Sequence, residues 1–237
     1  MEREITKLVN DTNLKHIAII MDGNRRWAKE HHLPTAIGHK KGVEALRKTV
    51  RACDEAGVKY ITVYAFSTEN WNRKPDEVDF LMSLVIDTLI SETDDMHREN
   101  VKIKFLGSRE RLSDKLKDVI SKSEEKTKNN TGVNLQIAFN YGSRSEIADA
   151  VKSIVKDGIS ADMIDEGLIS DYLYTAGIPD PDILIRTGGE QRISNYLLWQ
   201  IAYSEIIIRN EFWPDFGRES LFEYINEFGK RQRRYGK

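Results

Sequence analysis

With 237 residues, 40% of them hydrophobic, the chain is long enough for one domain with a substantial core, and 31% charged residues is globular rather than disordered composition. Thirty-six Lys and Arg against 38 Asp and Glu leave a net charge of −2, without the excess positive field that a nucleic-acid binder carries. The residues before His16 are polar and no apolar run reaches spanning length, so neither a signal peptide nor a transmembrane segment is read and a cytoplasmic location is expected.

The first predicted strand, 17–21, runs straight into Asp22, Gly23, Asn24, Arg25, Arg26 and Trp27. A buried strand that enters a loop opening a helix offers free N–H groups and the positive end of the dipole to an anion, so this is a candidate phosphate site. A lone carboxylate facing phosphate oxygens is repelled unless Mg²⁺ lies between them, which gives Asp22 a use. The same residues also fit a solvated Arg pair beside a helix-capping Asp. A helix is predicted over 40–56, where the single cysteine, Cys53, shares helical spacing with Val43, Leu46 and Val50 and reads as buried. The second strand, 58–67, delivers Ser67, Thr68, Glu69, Asn70, Trp71 and Arg73 at its C-terminal end, where open α/β sheets bind ligands.

The helix predicted over 77–98 is apolar on more than one stripe in its first half, which fits a deeply buried helix, the reading favoured by sequence alone, or the wall of an apolar cavity. Strands follow at 101–106 and 133–139, and helices at 110–128, 143–157 and 161–175. The strand at 182–186 ends in a second anion-binding loop, in which Arg186 and Arg192 bracket Thr187, Gly188 and Gly189, and Ser194 adds a hydroxyl. Neither loop matches a nucleotide-binding motif. Glu205 opens a sixth strand at 205–208; it fits a second metal ligand to partner Asp22, or an ordinary strand-flanking charge. A last helix at 219–233 runs into the basic tail Lys230 to Arg234, which reads as an RNA contact or a solvated end. Strand and helix alternate without linker or repeat. The expected fold is α/β, one domain over 1–237 with a central, mainly parallel six-stranded sheet flanked by helices.

Six separated strings, M-D-G-N-x-R-W-A, G-H-x-x-G, Y-A-F-S-T-E-N-W-x-R, F-N-Y-G-x-R, R-T-G-G-E-x-R-I-S-N-Y-L-L-W-Q and F-W-P-D-F, carry a resemblance. In this order and spacing the chain, from about His16 to Gly236, resembles the cis-prenyltransferases and above all the bacterial undecaprenyl diphosphate synthases. The trans-prenyltransferases are excluded by their own diagnostic, since the run D-D-M-H-R at Asp94 lacks a third Asp and a second copy.

The resemblance implies Mg²⁺-dependent condensation of isopentenyl diphosphate onto an allylic diphosphate, usually farnesyl diphosphate, by a homodimer whose apolar tunnel holds the growing chain. It places Gly23, Asn24, Arg25, Arg26, Trp27, Thr35 and His39 at the allylic diphosphate, and Arg186, Arg192, Ile193 and Ser194 at isopentenyl diphosphate. Ser67, Thr68, Glu69 and Arg73 line the site, Phe66 and Trp71 wall the reacting carbons against water, and Asn70 is catalytic, orienting the substrate rather than taking its proton. Asp22 and Glu205 would ligate Mg²⁺, across subunits or substrates, and Asp22→Ala should abolish elongation while leaving the fold and substrate binding largely intact. Arg234, in the C-terminal R-x-G element, would reach the isopentenyl diphosphate of a partner subunit. No nucleic-acid partner is implied, and contact with a membrane surface would be transient, for product release. Arg25, Thr35 and Gln191 depart from the family pattern, Arg25 adding a cation where Thr35 withholds one. Phe139 is bulky for its strand, and facing the tunnel it would shorten the product below undecaprenyl. A shorter-chain synthase and a non-catalytic partner subunit are the alternatives.

Overall fold

The computed structural model describes residues 2–231. Six strands, β1 (His16–Ile20), β2 (Tyr60–Ser67), β3 (Lys102–Leu106), β4 (Asn134–Tyr141), β5 (Ile183–Arg186) and β6 (Glu205–Ile208), form one sheet in the order β3-β4-β2-β1-β5-β6. Every pairing is parallel. Parallel neighbours need long crossovers. Among the described residues the α-helices are α1 (Glu2–Asp11), α2 (Asn24–Glu30), α3 (Thr35–Ala56), α4 (Pro75–Arg98), α5 (Asp114–Thr127), α6 (Ser143–Lys156), α7 (Glu166–Tyr172) and α8 (Arg218–Lys230); α2 to α7 lie in the crossovers, and the segment 187–204 joins β5 to β6 without one.

All five residues of β1 are buried because both faces of the sheet are covered. Ile17 and Ile19 join a cluster with Val50 of α3, Leu89 of α4, Leu116 of α5 and Leu221 of α8. Ala18 and Ile20 point the other way, into a second cluster with Leu184, Tyr196 and Leu197, as the two-residue period of a strand requires.

β2 breaks this alternation once. Val63 faces the first cluster and Tyr64 the second, yet Phe66, two residues beyond Tyr64, faces the first again. Register shifts on either side of Phe66 show the cause, a β-bulge at the ligand-binding end of the strand. Phe139 on β4 faces the same side as Phe66, its ring 5.2 Å from that of Phe66 and 6.4 Å from that of Phe105. It therefore lies on the α4 side of the sheet.

The six strands stand within two residues of their expected positions, whereas the helices differ more. α1 was not expected: its sequence is polar overall, but Ile5 and Val9, one turn apart, are both 2% exposed where the helix packs on α3 and α8. The span 161–175 is not one helix but a 3₁₀ turn at Ala161–Met163 followed by α7, because the Asp165 carboxylate accepts from Leu168 N–H at 2.8 Å and caps a new start. α5 begins at Asp114 for the same reason, with Ser113 Oγ accepting from Leu116 N–H at 3.3 Å.

Candidate active site

Because β1 and β5 are neighbours, the two anion-binding loops leave the sheet side by side. Gly23 turns the chain from β1 into α2 at φ 114°, and a side chain there would also stand 2.7 Å from Phe212. Thr187 fastens the loops together: its hydroxyl donates to the Asp22 carbonyl at 2.7 Å and accepts from Asp22 N–H at 3.0 Å.

The Asp22 carboxylate then sits between two guanidinium groups, Oδ2 on Arg186 Nη2 at 2.9 Å and Oδ1 on Arg26 Nη2 at 2.9 Å. Burial would raise the Asp22 pKa, but hydrogen bonds from Arg186 and Arg26 outweigh it and hold the carboxyl below its ordinary range. Arg26 also donates to the Gly188 carbonyl at 2.6 Å. Arg186, whose side chain is 5% exposed, donates to Ser194 Oγ at 2.9 Å and to the Arg192 carbonyl. Arg192 points outward, 62% exposed, with Glu190 Oε2 at 2.6 Å from its Nη1.

Two clefts meet at Asp22. One, of about 750 Å³, is lined by Gly23, Asn24, Arg25, Arg26, Thr35, His39 and Arg73, with Lys29 an additional cation. The other, of about 550 Å³, is lined by Phe66, Ser67, Glu69, Asn70, Arg186, Ser194 and Asn195, and Arg73 and Arg192 line both. Both share Met21, Asn24 and His39 with a third, apolar cavity of about 120 Å³ between α3, α4 and the sheet, lined by Val43, Leu46, Leu81, Leu84, Val85, Leu89, Phe105, Ile137 and Phe139. The cationic clefts thus adjoin an apolar cavity. The half-apolar helix α4 is that cavity's wall as well as part of the core.

Glu77, which the sequence did not single out, gathers the cations at the start of α4. It accepts from Arg73 Nη1 at 3.0 Å and has Arg25 Nη1 at 3.7 Å and His39 Nε2 at 3.8 Å. Burial first, and then the Arg73 charge, push His39 down to about 4, so its imidazole is neutral at pH 7. Asn70 Oδ1 is engaged, accepting from Ser67 N–H at 3.1 Å in a reciprocal cap.

Several expected ligands face elsewhere. Trp27 is buried with Nε1 on Asp215 Oδ1 at 2.7 Å and its ring 4.1 Å from His31, and it lines neither cleft. Trp71 stands behind Phe66, edge-on at 5.2 Å, with Nε1 on Asn140 Oδ1 at 2.7 Å and Arg111 over its ring at 4.4 Å; Phe66 alone of the pair reaches the cavities. Thr68 donates to Glu69 Oε2 at 3.3 Å and Ile193 packs into the second cluster, both outside the cleft linings. Glu205 lies at the opposite end of the sheet, paired with Ile183 and through it level with Ile17, roughly 17 Å along the strand direction from Asp22 at about 3.3 Å per residue. Its carboxylate accepts from Arg231 at 2.8 Å, so one chain does not bring the two expected metal ligands together. Among the described residues no group of three or more His, Cys, Asp or Glu is placed to hold a metal ion. Arg234 lies outside the described residues.

Residues 20–236 match the family model described as "Putative undecaprenyl diphosphate synthase". An isoprenyl transferase of Clostridium perfringens is 49% identical over 233 residues, 97% of this chain and 92% of its own length. A ditrans,polycis-undecaprenyl-diphosphate synthase of Micrococcus luteus, specific for (2E,6E)-farnesyl diphosphate, is also 49% identical, over 94% of this chain and 91% of its own. The crystal structure of lavandulyl diphosphate synthase from Lavandula x intermedia, in complex with dimethylallyl diphosphate, superposes with a TM-score of 0.91 at 34% identity, covering 99% of this chain and 100% of that one. The chain belongs to the cis-prenyltransferase family. Prenyl transfer is its class of chemistry.

Proposed function

We propose that this protein condenses isopentenyl diphosphate onto an allylic diphosphate, farnesyl diphosphate by preference, and repeats the step to give undecaprenyl diphosphate for a cell-wall lipid carrier. The observation that carries this reading is Asp22, fixed at 2.9 Å from both Arg26 and Arg186 where two cationic clefts meet beside an apolar cavity. Two diphosphates repel each other, and close approach of their reacting carbons needs cations on both sides. Arg25, Arg26 and Arg73 surround the allylic diphosphate and take up the charge that grows on it as the C1–O bond breaks. Arg186, Arg192 and Ser194 hold isopentenyl diphosphate, and Phe66 keeps water from the carbons between. With Asn70 Oδ1 already occupied and Asp22 a weak base, the proton lost after C–C bond formation goes to a diphosphate oxygen of the substrate.

One carboxylate beside a diphosphate pocket fits Mg²⁺, which keeps most of its waters and is held by one or two carboxylates together with substrate phosphates. When bound, the ion would neutralise the leaving diphosphate, with Asp22 its ligand from this chain and Glu205 serving only from a second copy. The protein acts as a homodimer of this kind in the cytoplasm, in keeping with the absence, among the described residues, of any helix long and apolar enough to cross a membrane. Incubation with Mg²⁺, farnesyl diphosphate and labelled isopentenyl diphosphate, followed by sizing of the lipid product, tests the reading; failure to incorporate label refutes it.

A second reading, a product shorter than undecaprenyl, is favoured by the apolar cavity. Its 120 Å³ is less than the roughly 150 Å³ of a cavity that admits benzene, and Phe139, Phe66 and Phe105 close its sheet side. A growing chain has to part α3 from α4 to advance. A dominant product below eleven isoprene units in the same assay decides for it.

A further inference from the structure

On the wall of the second cleft, the turn carrying Ser194 has an unusual backbone. Ser194, Asn195 and Leu197 all take left-handed φ values, 56°, 62° and 46°, which Asn tolerates and Ser and Leu rarely adopt. Such a turn persists only where its surroundings impose it. Here they do so through Asn195. Its carbonyl accepts from Ser143 N–H at 2.8 Å and its Oδ1 from Arg144 N–H at 2.9 Å, the first two donors of α6, a helix whose own N-cap residue, Gly142, has no side chain to offer. Its Nδ2 donates to Glu69 Oε1 at 3.0 Å, on the neighbouring cleft wall. Leu198 N–H completes the clamp on Ser143 Oγ at 3.0 Å. Both ends of one carboxamide are therefore used, one on a helix start and one on a cleft carboxylate, and the residue between them and Arg186 is Ser194.

We propose that Asn195 is a positioning residue for isopentenyl diphosphate: by capping α6 from a distance and holding Glu69, it fixes Ser194 and the Arg186 guanidinium in the geometry that receives the second diphosphate. The assignment rests on the two-diphosphate reading given above, and it names a side chain that does not itself carry charge to the substrate.

Asn195→Gly separates positioning from mere tolerance of the backbone, because glycine accepts φ 62° freely while removing both side-chain hydrogen bonds. The KM for isopentenyl diphosphate should rise about tenfold, the scale of one lost hydrogen bond, with the allylic KM within about twofold of the parent. Asn195→Asp keeps the acceptor for Arg144 and sets a carboxylate against Glu69; it should raise the same KM, and it serves as the decisive variant if the glycine form does not fold. A parental KM for isopentenyl diphosphate, or equal increases in both KM values, overturns the assignment. If instead the unaltered protein incorporates no isopentenyl diphosphate, the two-diphosphate reading fails, whereas activity in the parent with no KM split in the variants removes Asn195 alone.

Discussion

Asp22→Ala removes the carboxylate that two loops share, and the structure changes what is expected of it. From sequence the variant should lose elongation and keep its fold, but Asp22 Oδ2 is on Arg186, a guanidinium only 5% exposed. Breaking a fully buried pair costs about 3–5 kcal/mol, and an exposed pair about 0–1 kcal/mol. Asp22 is 28% exposed and Arg186 keeps Ser194 Oγ and the Arg192 carbonyl, so an intermediate loss of about 1–3 kcal/mol follows. For a chain of this length that lowers Tm by roughly 2–12 °C, at about 2–4 °C per kcal/mol. Two released cations should bind inorganic diphosphate at least as tightly as before, and saturating diphosphate at about 100 times its Kd should return about 2.7 kcal/mol. Elongation should still fall by about 10²–10³ or more, since charge stabilisation at the leaving group is lost. Steady-state assays, thermal unfolding with and without diphosphate, and calorimetric titration measure the three effects. The sign of the pH dependence is fixed too: a carboxyl whose folded pKa is depressed stabilises above its unfolded pKa of about 3.9. The Tm gap between parent and variant should be flat above that pH and narrow below it. Near-normal turnover, or an unchanged Tm, would refute the reasoning.

His39, pushed down to about 4, binds its proton more weakly folded than unfolded, so stability should fall as pH drops from about 6.5 towards 4; NMR should show its ring still neutral at pH 5.5, and a ring titrating near 6.5 contradicts its placement. Arg192→Ala should raise the KM for isopentenyl diphosphate and Arg26→Ala that for the allylic substrate, each by about tenfold or more, and equal effects on both substrates would mean that the clefts are misassigned. Phe139→Ala, which removes a ring 1% exposed, should lengthen the dominant product at a stability cost of about 3–5 kcal/mol; an unchanged product from a folded, active variant would leave Leu84 to Leu89 of α4 as the ruler.

The sheet was legible because each strand is a short apolar-rich run, buried on both faces in β1 and β5 and partly exposed in the edge strands β3 and β6, a pattern that survives without long-range information. Asp22, Arg26, Arg186 and Ser194 were legible because their chemistry shows in the residue type and the strand end supplies the place. What escaped depends on contacts distant in sequence. Glu77 reads as an ordinary first-turn acid until Arg25, Arg73 and His39 arrive around it from three other segments. Trp27 reads as a diphosphate contact and Trp71 as a cavity wall because they stand beside the charged residues, but helical and 3₁₀ geometry turns them towards Asp215 and Asn140. Glu205 was paired with Asp22 on charge alone, and strand direction separates them within one chain. Alternation on β4 left the face of Phe139 undecided until Phe66 and Phe105 fixed it.

The bulge in β2 turns strand length into a constraint on chemistry. Upstream of it, Tyr64 serves the face where its hydroxyl donates to the Tyr141 and Ser194 carbonyls; downstream, Phe66 serves the opposite face, and Ser67 begins the loop with Asn70. Losing Ala65 would restore regular pleating with Phe66 directly after Tyr64 and still on the opposite face, but it would draw the whole Ser67 to Arg73 segment one position back along the strand. The diphosphate contacts proposed for Arg26 and Arg186, which hang from β1 and β5, would be untouched by that deletion, while Ser67 and Asn70 would be withdrawn from the cleft. An extra residue in one strand thus keeps two halves of a reaction in phase, and an enzyme with a one-residue gap at this point should bind its substrates and fail to join them.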